Sequence, residues 1–313
     1  MKTLLKQSLM RKVLIALVPL QCLGILFFGW RTLILLILNS AAAYGVEWLF
    51  VRKQTGKVTE AVFVTSMLFT LTLPPTIPYW ISVLGVVFGV LFGKMVFGGF
   101  GKNPFNPALV GRAFIYVNFP NFMTARWIGP TNYFDGLTQY SVDTITQATP
   151  MTLYRLDQTM LPISNMIIGN TSGSIGETSA AVILIIAIIL LIKKIISKDI
   201  FWSLIISFLV MNTVFYGAGI RQVPPPLYGL FSGGILFGAT FMATDPISSP
   251  KTVWGKRIYG VIIGSVTLII RSFALFSGGF MFAVLIGNTF APILDELVNA
   301  LKKSKPKKEA SHG

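Results

Sequence analysis

Apolar runs such as 200-IFWSLIISFLVMNTVFYG-217, which holds no charged residue over eighteen positions, decide the fold. A helix rises about 1.5 Å per residue, so this run would be about 27 Å long, close to the hydrocarbon thickness of a bilayer. Water would penalise so apolar an exterior, whereas lipid favours it. The run therefore predicts a helix that crosses a membrane.

Further apolar segments lie on both sides of this run. The chain is 53% hydrophobic and only 12% charged, whereas a soluble domain carries about 25% charged residues. We therefore predict an all-α integral membrane protein with about ten transmembrane helices. The segments are 13–28, 33–51, 58–73, 79–97, 107–119, 180–196, 200–217, 228–243, 254–270 and 274–294. Segments 107–119 and 228–243 are short and rich in glycine, so we expect them to be broken or partly buried.

The positive charges predict the orientation. With the N-terminus inside, 21 of the 26 Lys and Arg residues, Arg112 among them, fall in inner regions. Such a bias places both termini in the cytoplasm. It also explains the net charge of +15, and no basic run on a soluble domain is interleaved with aromatic residues, so we expect no nucleic-acid partner. The N-terminus resembles a signal peptide, but Gln21 is not the small residue that cleavage needs, so we expect a retained first helix.

A long polar stretch divides the chain. We predict a first membrane half at 1–119, an external loop at 120–178, a second membrane half at 179–296 and a basic cytoplasmic tail at 297–313. Five helices on each side of the loop would enter the bilayer from opposite faces, as inverted repeats do.

Five polar residues in or near apolar segments are candidates for function. Carboxylates within a membrane are costly and mark ion pathways, although residues near the inner face can also be ordinary interfacial charges in contact with water. Amides in a Gly- and Pro-rich stretch can bind a ligand or simply accompany a kink. The carboxylates are Glu60, Asp245 and Asp295, and the amides are Asn103 and Asn106.

The chain has one cysteine, Cys22, and one histidine, His312. It cannot form an internal disulfide, a Cys-ligated iron–sulfur cluster or a bis-His haem on its own. We therefore expect no metal site within the chain. If it handles electrons, the carrier is organic or lies between subunits. No threonine of the 143–150 stretch has a neighbouring His or Lys base, so no catalytic side chain is predicted.

Several motifs in the same order resemble a known family. They are TEAVFVTSMLFTLTLPP at 59–75, GKNPFNPALVGRAF at 101–114, GSIGETSA at 173–180, FMATDPISSP at 241–250 and NTFAPILD at 288–295. The chain resembles a family of membrane subunits shared by two complexes. In the Rnf electron-transport complex the family member is the D subunit, and in the sodium-translocating NADH:quinone oxidoreductase it is the B subunit.

The resemblance implies a covalent flavin. Family members carry FMN on a threonine, through a phosphoester, within an outer-loop motif of the form D-x-x-[S/T]-x-A-T. The matching residues are Asp143, Thr146, Ala148 and Thr149, so Thr149 would hold the FMN. A separate transferase would make the bond, which explains the lack of a local base.

The resemblance also assigns roles to the five polar candidates. Asn103 and Asn106 match positions beside a noncovalent riboflavin, and Glu60, Asp245 and Asp295 match acidic positions implicated in cation uptake or passage. The expected location is the bacterial cytoplasmic membrane. The expected partners are membrane lipid and the other subunits of the redox complex, including a second covalent-FMN subunit and an iron–sulfur membrane subunit pair.

The chain lacks the long N-terminal extension usual in the quinone-reductase member, and GKNPFNPA resembles the Rnf member more. We therefore expect the D subunit of an Rnf-type ferredoxin:NAD⁺ oxidoreductase, with the B subunit of the quinone reductase as the alternative. The coupling ion, Na⁺ or H⁺, stays open. A urea- or ammonium-like permease without flavin is the alternative from another class, because a five-plus-five bundle with glycines near the midplane also suits a pore.

Overall fold

A computed structural model describes residues 4–54, 56–130, 135–141, 147–274 and 278–303. Within these residues the chain is mainly helical, and the strands β1 (Leu4–Leu5) and β2 (Val58–Thr59) form a single short parallel pair. Five helices are long and apolar enough to cross a membrane, and shorter apolar helices accompany them. The predicted all-α membrane fold is confirmed.

Among the described residues, a helix overlaps each predicted apolar segment, and four short helices lie in the predicted loop. The helices are α1 (Ser8–Phe28), α2 (Arg31–Val51), α3 (Ala61–Leu71), α4 (Tyr79–Val90, continued by a π-helical turn at Leu91–Met95), α5 (Pro107–Asn118), α6 (Pro120–Thr124), α7 (Asp135–Thr138), α8 (Pro150–Asp157), α9 (Ile163–Ile168), α10 (Ala180–Ile192), α11 (Lys198–Gly217), α12 (Pro226–Phe231), α13 (Ile235–Phe241), α14 (Val253–Phe273) and α15 (Gly279–Lys303).

The segment predicted at 228–243 is broken, as its glycines suggest. Helices α12 and α13 are separated by Ser232, Gly233 and Gly234. Gly233 has a φ of +79°, in the left-handed region that only glycine adopts freely. A Cβ at Gly234 would lie 2.1 Å from Glu177 Oε1. The break therefore makes room for a carboxylate from the polar stretch to enter the bundle.

Small residues bring the long helices of the second half together. Helix α14 packs against both α11 and α15. Cβ atoms at Gly260 and Gly264 would lie 1.9 Å and 2.0 Å from the Oγ atoms of Ser203 and Ser207, so the two backbones approach as closely as glycine allows. Such small-residue contacts are typical of helices packed in a membrane.

The end of the polar stretch is buried in the helix bundle. Ile175 is fully buried, and the backbone N–H groups of Ile175 and Gly176 donate to the carbonyl oxygens of Leu73 and Leu71 at 3.1 Å and 2.7 Å. Helix α3 is short and ends at Leu71 inside the core, where its last carbonyls need donors. Residues 171–179 supply them by lying within the bundle.

Candidate functional site

Thr149 lines a cavity between the polar stretch and the helix bundle. We call it the Thr149 cavity. Its wall includes Arg112 of α5 and Arg271 of α14, which are only 8% and 4% exposed. It also includes Glu177, whose Oε1 lies 3.6 Å from an Arg112 terminal nitrogen.

Thr149 is held in a defined place at the start of α8. It is the N-cap residue: its Oγ1 accepts from Thr152 N–H at 3.4 Å and lies 2.9 Å from the Thr152 hydroxyl. A proline at the first helical position suits this start, because it needs no N–H acceptor there. The preceding carbonyl of Ala148 accepts from Ser172 Oγ at 2.6 Å. Thr149 is half-buried, so its hydroxyl is positioned yet reachable from the cavity.

Hydrogen bonds from two tyrosine hydroxyls connect α8 to the bundle. The Tyr154 hydroxyl donates to the carbonyl of Val223 at 3.1 Å, and the Tyr228 hydroxyl donates to the carbonyl of Pro150 at 3.1 Å. Burial raises the pKa of the Tyr154 hydroxyl above its ordinary value, so the group stays protonated and keeps donating at neutral pH. The position of the helix that carries Thr149 is therefore fixed by the membrane helices.

Asn103 and Asn106 line a second cavity, together with Lys94 and Asp245. We call it the Asn106 cavity. Each amide already makes a local bond: Asn103 Nδ2 donates to the Phe105 carbonyl at 3.0 Å, and Asn106 Oδ1 caps α5 by accepting from Ala108 N–H at 3.1 Å. Both amides are buried. The two interpretations left open by the sequence are thus compatible, because the same residues shape the backbone and line a cavity.

The two cavities lie at opposite ends of α5. Pro107, in its first turn, lines the Asn106 cavity, whereas Arg112 and Tyr116, further along, line the Thr149 cavity. Pro107 and Tyr116 are about 14 Å apart along a helix with a rise of about 1.5 Å per residue. The structure therefore arranges the predicted flavin residues as two groups along one axis.

The three predicted carboxylates do not form one cluster. Glu60 pairs with Arg11 and accepts the Gln7 backbone N–H at 2.6 Å. Asp245 accepts from Ser248 Oγ at 2.8 Å and lines the Asn106 cavity.

Asp295 instead binds the start of α14. It accepts from the N–H groups of Lys251 and Thr252 at 2.7 Å and 2.8 Å, and from the Thr252 hydroxyl at 2.6 Å. Of the three, only Asp245 lines a cavity that also contains the predicted amides.

A sequence profile of the NQR2, RnfD, RnfE family matches residues 3–303. The chain belongs to this family. The resemblance inferred from the motifs is confirmed.

Named relatives of this family member come from two kinds of complex. The B subunit of the Na⁺-translocating NADH-quinone reductase of Pseudomonas paraeruginosa is 39% identical over 265 residues, which is 80% of this chain and 63% of that protein. The corresponding protein of Chromohalobacter salexigens is 38% identical over 274 residues, 85% of this chain and 65% of that protein. The D subunit of the ion-translocating oxidoreductase complex of Aeromonas hydrophila is 33% identical over 324 residues, 93% of this chain and 92% of that protein. The chain spans just under two thirds of the length of the quinone-reductase relatives.

Four buried charged residues of this family member were not among the candidates predicted from the sequence. Glu47 and Lys94 form an ion pair of 2.6 Å, and Arg112 and Arg271 line the Thr149 cavity. Glu47 is the single charge in the apolar segment 33–51, so the signal for it was present. Arg112, which the charge count placed in an inner region, lies in the second turn of α5 and faces Glu177.

Two residues of the predicted flavin motif, Asp143 and Thr146, lie outside the described residues. Ala148 and Thr149, which complete it, are described and border the cavity as set out above.

Proposed function

We propose that the chain is the flavin-carrying membrane subunit of an ion-translocating oxidoreductase, with FMN joined by a phosphoester to Thr149. It would carry electrons across the membrane, coupled to transport of Na⁺ or H⁺. The observation that carries the proposal is the placement of the Thr149 hydroxyl on a cavity that two buried arginines line. The family and the named relatives are consistent with it.

The charges of the Thr149 cavity suit a phosphoester. Two guanidinium groups face one carboxylate, Glu177, so the cavity wall has a positive excess. Within the described part of the chain, the buried Nε–H groups of Arg112 and Arg271 have no hydrogen-bond acceptor. Guanidinium is the side-chain group best matched to phosphate oxygens. An anionic group at Thr149 would therefore supply negative charge and the acceptors that the described residues do not offer to these two Nε–H groups.

The residues of this chain would hold the flavin rather than perform chemistry. The FMN would supply the redox chemistry when bound. Thr149 would fix one end through its oxygen, and α8, fastened by Tyr154 and Tyr228, would keep that oxygen in place. Arg112 and Arg271 would offset the phosphate charge.

The Asn106 cavity supports the second part of the proposal, a noncovalent riboflavin near Asn103 and Asn106. The cavity is lined mainly by apolar side chains with a few polar ones, as cofactor sites usually are. Asp245 on the same wall links this cavity to the proposed cation path, in which Glu60 and Asp295 would also take part.

The percentage sequence identities favour one of the two complexes, and the motifs favour the other. GKNPFNPA at 101–108 favours the D subunit of an Rnf-type complex, which we propose first. The 39% identity to the B subunit of a quinone reductase favours the second candidate. Membranes that contain the protein and reduce NAD⁺ with reduced ferredoxin would identify the first candidate. Na⁺-stimulated reduction of quinone by NADH would identify the second.

The proposed setting follows from membership of such a complex. The partners would be the other subunits of that complex, including a second covalent-FMN subunit and an iron–sulfur membrane pair. The protein would lie in the bacterial cytoplasmic membrane with both termini in the cytoplasm, as the positive charges predict.

Mass spectrometry of the native protein tests the flavin. We expect an FMN adduct on Thr149 and a fluorescent flavin band in a denaturing gel. The nearly isosteric Thr149→Val variant should lose both while keeping its abundance in the membrane, and Thr152→Val, which alters the neighbouring hydroxyl, should keep the adduct. An unmodified Thr149 in the native protein would contradict the proposal and favour the permease.

A further inference from the structure

A closed ring of hydrogen bonds joins Glu47 of α2, Thr59 of β2 and Lys94 of the π-helical turn that ends α4. Lys94 Nζ donates to Glu47 Oε2 at 2.6 Å and to Thr59 Oγ1 at 2.8 Å. Glu47 Oε1 accepts from the Thr59 hydroxyl at 2.6 Å and from the Thr59 N–H at 2.8 Å. Glu47 and Lys94 are 1% and 2% exposed. The ammonium is thus almost fully buried and bound by two oxygen atoms.

The surroundings of this ring favour a cation. Helix α2 ends at Val51, one turn after Glu47, and the π-helical turn ends at Met95, directly after Lys94. The C-terminal end of a helix carries a partial negative charge. Two such ends, a carboxylate and a hydroxyl oxygen therefore surround one position. π-Helical turns occur frequently at functional sites.

The ring also stands between two cavities. Glu47 and Thr59 line a cavity with Gln54, Gly98 and Phe100, which we call the Glu47 cavity. Lys94 lines the Asn106 cavity instead, where Asp245 offers another carboxylate. Phe100 lines both cavities, and its ring centre lies 5.8 Å from Lys94 Nζ. The ammonium can therefore be approached from one side and can leave toward the other.

We propose that Glu47 and Thr59 form a binding site for a monovalent alkali cation, in which Lys94 is a tethered competitor. A cation entering from the Glu47 cavity replaces the ammonium, which keeps its proton and swings on its flexible four-carbon chain into the Asn106 cavity. Charge is conserved within the ring, because one cation takes the place of another. Hard cations prefer such oxygen ligands, and transporters place Na⁺ at the C-terminal ends of interrupted helices.

This inference deepens the ion-translocating part of the proposed function. Its test needs neither flavin nor turnover, so the absence of FMN on Thr149 and the absence of a cation site here would be separate results. The site also differs from the predicted candidates, because it contains none of Glu60, Asp245 and Asp295.

Thermal unfolding of the full chain in detergent, in NaCl or in choline chloride of equal ionic strength, tests the site. Lys94→Gln removes the competitor, so NaCl should raise its Tm by about 3 °C or more over choline chloride, and by more than in the unaltered chain. The double variant Glu47→Gln/Lys94→Gln should lose this Na⁺-specific rise. Arg257→Gln, which breaks the exposed pair with Asp199, is the matched control and should respond to NaCl only as much as the unaltered chain does. A Lys94→Gln variant that gains no more from NaCl than from choline chloride would overturn the proposal.

A second measurement uses the unaltered chain and does not depend on the folding of a variant. Displacement of Lys94 should expose its amine, so labelling by an amine-reactive reagent, read by mass spectrometry, should rise several-fold as NaCl replaces choline chloride. Lys193, which is already exposed, is the internal control and should label equally in both salts. Labelling of Lys94 that is independent of the salt would show that the ring is only structural.

Discussion

Arg271 is a buried cation whose bonds are incompletely satisfied by the chain. It donates to the Ser232 carbonyl at 2.9 Å, and among the described residues its Nε–H has no acceptor. If an anionic flavin phosphate lies in the Thr149 cavity, Arg271→Leu should lower the flavin-to-protein absorbance ratio, because the phosphate would lose a charge-assisted partner while its bond to Thr149 is being made. Arg271→Lys should retain part of the flavin, because it keeps the charge but loses the planar fork. Arg126→Leu, at an exposed position of the polar stretch, should leave the ratio unchanged.

Asp295 offers a way to separate a structural from an ion-linked role. Asp295→Ala would leave three donors at the start of α14 without their acceptor, so we expect a loss of about 1–3 kcal/mol in the free energy of unfolding. Thr252→Ala removes the N-cap hydroxyl but keeps the carboxylate, at a cost of about 1 kcal/mol.

Ion-dependent turnover of the membrane complex then decides the role of Asp295. We expect it to fall in Asp295→Asn and to persist in Thr252→Ala at equal abundance in the membrane. Equal ion dependence in both variants would show that Asp295 serves only to bind the start of α14.

The sequence could predict the structural role of a single residue only where its hydrogen-bond partner is near in the chain. The caps at Asn106 and Thr149 follow from an amide or hydroxyl directly before a proline, which marks a helix start. The pair of Glu47 with Lys94 spans 47 positions, and its two helices must first be folded to meet. Arg112 and Glu177 are still further apart, so the charge of the Thr149 cavity could not be predicted from the chain.

At the scale of elements, the contact between α11 and α14 depends on glycine. Gly264→Ala would place a Cβ 2.0 Å from Ser207 Oγ and 2.5 Å from the Leu204 carbonyl oxygen, so the helices must separate. We expect a loss of about 1–3 kcal/mol, measured by thermal unfolding in detergent. Gly217→Ala is the control: nothing lies within 4 Å of its added Cβ, and alanine favours a helix by up to about 1 kcal/mol. Equal stability of the two variants would contradict this account of the packing.

The helices themselves could be predicted because their apolar length is a local property. The breaks were only partly predictable: Gly233 and Gly234 indicated an interruption in the 228–243 segment, but nothing near 171–179 indicated burial. That stretch is polar and was therefore expected outside. It is buried because α3 ends within the core and its carbonyls need donors, a requirement set by tertiary structure.

For the whole molecule, the neighbour relations support the predicted division into two halves. Helix α4 packs on α2 and α5 in the first half, and α14 packs on α11 and α15 in the second, so the fourth long element of each half contacts the second and the fifth. If the halves are inverted about the loop, both termini lie on one side. A reporter enzyme fused after residue 313 should be active only in the cytoplasm. An externally active fusion would contradict the ten-helix topology.

The end of α3 inside the bundle has a consequence for synthesis of the protein. Its carbonyls at Leu71 and Leu73 receive donors from residues made about 100 positions later. At a translation rate of about 5–20 residues per second, this helix leaves the ribosome about 5–20 s before its partners exist. During that interval these carbonyl oxygens must accept hydrogen bonds from the insertion machinery, from a chaperone or from water. Assembly of the first half therefore depends on the end of the polar stretch, and a chain truncated before residue 171 should be degraded rather than stably inserted.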